Sequence, residues 1–88
     1  MYLVEFKSQA DKDLEKMDNA LIKQFIKHVK KIELNPGKKH LKLGLPYFIE
    51  KVTDQARIAF FVENNTIYIL RCFKNHKEYE NWYKSEKV

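Results

Sequence analysis

Cysteine is nearly absent from this 88-residue sequence, with Cys72 standing alone. One thiol closes no internal disulfide and builds no cysteine-based metal cluster. It sits in an apolar stretch, where a free cysteine behaves as a small buried hydrophobe. Glycine and proline are scarce too, at two of each, which excludes collagen-like and Pro/Gly-rich disordered chains. No apolar run approaches the roughly 20 residues of a transmembrane helix. The N-terminus, MYLVEFKSQADKDLEK, lacks the basic start and long apolar stretch of a secretory signal. A cytoplasmic protein with no membrane segment is the expectation. The length predicts a single domain over residues 1–88, with a modest core and two layers at most.

Charge is abundant and uneven. The chain carries a net +5. Lys23, Lys27, Lys30, Lys31, Lys38, Lys39 and Lys42 face Glu33 alone over residues 23–42, so this segment exceeds the whole chain's surplus. A concentrated basic stripe attracts polyanions by releasing their counterions, so these seven lysines are candidate RNA-binding residues. A solvated helix face is the competing reading.

Periodicity gives the order of elements. Tyr2, Val4 and Phe6 alternate with Leu3 and Glu5, as in a short strand. Ser8 and Asp11 have the spacing of a capping box for a brief helix that carries Ala10, Leu14 and Met17. Asp18 caps a longer helix with an apolar stripe of Ile22, Phe25, Ile26, Val29 and Ile32, which Leu21 widens. Asn35-Pro36-Gly37 ends it. His28 on this helix reads as a solvated or satisfied residue, since no second metal ligand lies at helical spacing. In the basic loop 38–46, Leu41, Leu43 and Leu45 are positioned to tuck against the core.

Three strands are expected next, at 47–53, 57–62 and 66–73. Asn64-Asn65 suits a tight hairpin because asparagine tolerates positive φ. The Asp54-Gln55 turn has no glycine and is a weaker signal. Short links make these strands an antiparallel meander. Asn75 then caps a short helix with His76, Tyr79, Trp82 and Tyr83. The fold class is therefore α+β: an N-terminal strand, two helices packed on an antiparallel sheet completed by a three-strand meander, and a short C-terminal helix. The second sheet face is expected to be only partly covered and to present polar, basic residues.

Arg71, His76 and Tyr79 gather at the last strand-to-helix junction. Arginine holds phosphate, histidine exchanges a proton near neutral pH, and tyrosine stacks on a base or donates a hydrogen bond. Lys51 and Arg57 lie close across the preceding hairpin, with Glu50 on the opposite face from Lys51. Edge protection of exposed strands also uses such cations.

These residues carry a family resemblance. Leu41-Lys42-Leu43-Gly44, FIEKVTDQARIAFFV and the ending YILRCFKNHKEYENW, in this order of elements, resemble the RelE/ParE superfamily of toxins from type II toxin–antitoxin pairs. The middle piece is similar to the YoeB branch, and the histidine-bearing end to HigB-like branches. The resemblance implies a metal-independent endoribonuclease, an mRNA interferase that inhibits translation. It implies a cognate antitoxin, messenger RNA and the ribosome as partners, and no cofactor. By the same resemblance Arg57 is a phosphate clamp, Lys51 stands where many relatives have arginine, and Arg71 is a third cation. His76 is the leading general acid or base, Tyr79 the terminal aromatic that orients the nucleotide, and Glu50 an alternative base. The sequence departs from the pattern at Ala56, where relatives often have tyrosine or histidine, and in its tail beyond Tyr79. A ParE-like DNA gyrase inhibitor, or a non-catalytic module binding an acidic partner through its basic helix, is the alternative.

Overall fold

The computed structural model describes residues 2–34 and 47–86. The expected helix stop at 35–37 and the basic loop, with Lys38, Lys39, Lys42 and its three leucines, lie outside the described residues. The elements are β1 (Leu3–Phe6), α1 (Ser8–Glu15), α2 (Asn19–Leu34), β2 (Phe48–Lys51), β3 (Arg57–Glu63), β4 (Thr66–Phe73) and α3 (His76–Glu86). Their order is the expected one. The sheet runs β1-β4-β3-β2. The meander is antiparallel, while β1 joins parallel to β4, so the sheet is mixed.

Local chemistry explains the boundaries. Lys7 is extended, and its N–H donates to the Ile69 carbonyl at 2.9 Å. The chain therefore stays on the sheet until Ser8, and Lys7 takes the capping position. The expected Ser8–Asp11 box is not built. Asp18 does cap α2, where its carboxylate accepts the Leu21 N–H at 2.8 Å. Asn75 caps α3 by accepting the Glu78 N–H at 2.9 Å. Asn64 and Asn65 both adopt positive φ, 52° and 63°, as a tight hairpin requires.

The glycine-free turn between β2 and β3 is built from side chains. The Thr53 hydroxyl accepts the Ala56 N–H at 2.9 Å and the Gln55 N–H at 3.2 Å. That commitment ends β2 at Lys51, before the expected Thr53.

Two apolar clusters sandwich the sheet. Phe25, Val29 and Ile32 of α2 and Ala10 of α1 meet Ile58, Phe60, Ile67, Ile69 and Cys72 on one face. Ile26, one step around the helix from Phe25, points partly to water at 38 % exposure, so the α2 stripe is narrower than expected. On the other face Ile49, Ala59 and Phe73 meet Tyr79, with Leu70, Trp82 and Tyr83 packed around them. The second face, expected to be only partly covered and to present polar residues, carries this apolar cluster under α3 and leaves Lys51 exposed.

A β-bulge makes both clusters possible. Ala59 pairs with Arg71 and Phe60 with Ile69, so Leu70 is an extra residue in β4. Ile69 and Cys72, three residues apart, thus enter the same core, while Leu70 and Phe73 serve the other. Strict alternation would have sent one of them to the wrong face.

Candidate functional site

Lys51 and Arg57 are direct partners across the β2–β3 ladder. Alternation places them on the same face as Ile49 and Ala59, the face that α3 covers. Arg57 pairs in turn with Phe73 on β4. The Phe73 ring meets the Tyr79 ring at 5.8 Å, and His76 stands edge-on to Tyr79 at 5.6 Å. Lys51, Arg57, Tyr79 and His76 therefore form one neighbourhood linked through Phe73.

Arg57 is already oriented, while Lys51 and His76 are held only loosely. Arg57 donates through Nη1 to the carbonyls of Thr53, Asp54 and Ala56 at 3.0–3.1 Å. These bonds pin the guanidinium over the turn and use one of its three nitrogens. Lys51 approaches the Asp54 carboxylate at 3.9 Å, an exposed contact that restrains it little. His76 is 43 % exposed in its side chain, and its Nδ1 lies 3.6 Å from Glu80. At that distance in an exposed pair the carboxylate is a weak electrostatic neighbour and not a hydrogen-bond acceptor. Glu80 was legible as the i,i+4 neighbour of His76.

Tyr79 departs from its expected role. It is only 7 % exposed and is engaged by Phe73, His76 and Tyr83. Burial pushes its hydroxyl pKa up, the nearby Tyr83 adds to this, and Arg57 opposes it. Its ring holds α3 on the sheet and is not open to a stacked base in this arrangement.

Arg71 borders this neighbourhood, its guanidinium 5.1 Å from the centre of the Phe73 ring, but its hydrogen bonds are committed elsewhere, while Glu50 lies on the opposite face. Arg71 donates to Asp13 of α1 from Nε at 2.8 Å and Nη2 at 3.2 Å, and the same carboxylate accepts the Cys72 N–H at 2.9 Å. β1 pairs with β4 only from Thr66 to Ile69, so Asp13 takes the place of a strand at the uncovered edge. No local spacing announces a partner 58 residues away. Glu50 points to the α2 face, where it pairs with His28, both side chains being largely buried at 11 % and 17 % exposure. His28 is thus a satisfied residue, and it ties the edge strand β2 to α2.

The described lysines of the stripe, Lys23, Lys27, Lys30 and Lys31, are all exposed. They occupy the side of α2 away from Phe25, Val29 and Ile32. The sheet and its first core separate them from Lys51 and Arg57. The Cys72 thiol is pushed up to about 12, first by burial and then by the adjacent Asp13 carboxylate, so it is no nucleophile near neutral pH. No helix among the described residues is long and apolar enough to cross a membrane.

The chain has the fold of RelE and YoeB toxins. The isolated E. coli RelE toxin superposes over 97 % of this chain and 98 % of its own, with a TM-score of 0.73 at 16 % identity. The YoeB dimer from Staphylococcus aureus covers 84 % of this chain and 97 % of its own, with a TM-score of 0.68 at 25 % identity. In the archaeal RelE–RelB complex from Pyrococcus horikoshii OT3 the figures are 85 % and 94 %, with a TM-score of 0.69 at 21 % identity. No family model and no curated protein matches the chain by sequence.

Proposed function

We propose that this protein is the toxin of a toxin–antitoxin pair and cleaves messenger RNA as a metal-independent endoribonuclease, inhibiting translation at the ribosome. The supporting observation is the pairing of Lys51 with Arg57 on the sheet face that also carries His76 against Tyr79, within a RelE/YoeB-like toxin fold.

The reaction is an internal transfer. The ribose 2′-oxygen attacks the neighbouring phosphorus, its proton passes to a base, and the departing 5′-oxygen takes up a proton. A cyclic 2′,3′-phosphate and a free 5′-hydroxyl result. His76 is the proton-transfer group, with Glu80 beside it; a positioned histidine contributes ~10²–10⁴-fold. Lys51 and the free nitrogens of Arg57 offset the charge that builds on the phosphorane oxygens. Tyr79 acts as the packing base that fixes His76, and Arg71 and Glu50 hold the scaffold through Asp13 and His28.

The lysine stripe has a separate task in this reading. Lying across the sheet from Lys51 and Arg57, it grips a polyanion other than the scissile strand. Its exposure also favours the second reading, a binding module that acts through α2 alone. An acidic antitoxin segment is a fitting partner for that stripe by charge.

The test is induction of the protein in cells, followed by primer extension on messenger RNA with and without ribosomes. Cuts confined to translated codons are expected. The variants His76→Ala and Arg57→Ala are expected to relieve growth arrest and abolish the cuts. Arrest that persists in both, and fails only when Lys23, Lys27, Lys30 and Lys31 become glutamate, would favour the binding module. Arrest accompanied by loss of supercoiling and intact messenger RNA would point to gyrase.

A further inference from the structure

A cavity of about 390 Å³ opens between α1 and α3, beside the uncovered edge of β4. None of Lys51, Arg57, His76 and Tyr79 lines it. It is separate from the site above and yet adjoins it, because the Phe73 ring lies 5.3 Å from that of Trp82 and 5.8 Å from that of Tyr79. We propose that this cavity is a nucleotide subsite, taking one base and its phosphate from the RNA strand next to the scissile bond. This rests on the ribonuclease reading for the identity of its ligand.

The lining carries the chemistry of a nucleotide. Trp82 lines the cavity, its indole packed against Phe73 at 5.3 Å and Tyr47 at 5.7 Å, and bases in single-stranded RNA are held on such aromatic surfaces. Gln9 and Asn81 place two carboxamides around the opening. Gln9 already donates from Nε2 to Asp13 at 3.4 Å, so Asn81 is the carboxamide that offers a donor and an acceptor side by side, the pattern of a base edge. The volume lies at the small end of ligand pockets, which run from about 300 Å³ upward.

The charges fit one phosphate. Two carboxylates line the cavity, and both are internally matched. Asp13 is held by Arg71 and the Cys72 N–H, and Glu78 by Lys74 at 3.9 Å and the Lys74 N–H at 3.3 Å. That leaves Lys16 on the α1 side as a cation without an ion pair among the described residues.

A protein segment fits less well. The natural way for a peptide to bind here is to add a strand to the β4 edge. Asp13 already occupies the Cys72 N–H at that edge, so the ladder is closed to it. An acidic peptide would also meet the two carboxylates.

Trp82 is the sole tryptophan, so its fluorescence reports on the cavity lining, and variants at Lys16 and Asn81 separate that signal from binding at the adjoining site. The full chain is titrated with each of the four 5′-mononucleotides and, separately, with inorganic phosphate and an acidic peptide. Saturable quenching by at least one nucleotide is expected. Lys16→Glu and Asn81→Ala, both at exposed positions, are expected to weaken it roughly tenfold each, on the scale of a lost phosphate or base contact, with unchanged circular dichroism and melting temperature. Cleavage is measured in parallel. Nucleotide binding without cleavage would remove the ribonuclease reading and leave the subsite. Cleavage with no quenching by any nucleotide would overturn the subsite alone. Quenching unaffected by both variants, or produced by the acidic peptide and by no nucleotide, would also overturn it.

Discussion

Replacing Asp13 with alanine tests whether Arg71 is a structural cation. The change removes four bonds at once: two from the guanidinium, one from the Cys72 N–H and a longer one of 3.4 Å from the exposed Gln9. Cys72 is 1 % exposed, so water replaces the lost acceptor poorly. An orphaned buried donor costs about 1–3 kcal/mol. Stripping one partner from a fully buried ion pair costs roughly 3–5 kcal/mol. Here Arg71 keeps 28 % of its side chain in water and rehydrates in part, so the expected total is about 3 kcal/mol, the lower end of that range. For a domain near this size that lowers the melting temperature by roughly 12–24 °C. Asp13→Asn keeps an acceptor for Cys72 and loses the charge, and is expected to cost about half as much. The assay is urea unfolding followed by Trp82 fluorescence and circular dichroism, with the m-value unchanged. A double-mutant cycle with Arg71→Met should return a coupling of about 2 kcal/mol. A loss below about 1 kcal/mol for Asp13→Ala, or a coupling near zero, would refute the reasoning and return Arg71 to the phosphate-binding set.

Two further predictions concern the hairpin and the buried thiol. Asn64 and Asn65 hold positive φ, so Asn65→Val should destabilise by roughly 1–2 kcal/mol and Asn65→Gly should not, as urea midpoints will show. The Cys72 thiol, ordinarily near 9.0, is raised to about 12. The unfolded chain therefore loses this proton first. The thiol's contribution to stability is complete below pH 9 and falls as pH rises toward 12, a loss that Cys72→Ala should lack in alkaline melting curves. Near pH 8 the native thiol should react with a disulfide reagent only as fast as the protein opens; rapid reaction of folded protein would contradict its burial.

Much of the fold was legible because its signals are local. The stripe of Phe25, Val29 and Ile32, the caps at Asp18 and Asn75, and the Asn64-Asn65 turn each follow from a few neighbouring residues. The candidate site was legible only in part. Lys51 and Arg57 could be paired because a short turn fixes their register, and His76 and Tyr79 because helical spacing sets them side by side. The Arg71–Asp13 and Glu50–His28 pairs join elements far apart in the chain, and no period or motif encodes such partners.

The sequence by itself determined the elements, their order, the antiparallel meander and the basic outer face of α2, since backbone preference and periodicity act over a few residues. Only the tertiary structure decided how the cations are divided. The bulge at Leu70 and the docking of α3 give the sheet two cores. They leave Lys51 and Arg57 on the face that α3 covers, commit Arg71 to Asp13, and put the lysine stripe across the sheet. Those assignments depend on which distant side chain arrives to satisfy a buried charge or an uncovered strand edge, and packing alone settles that.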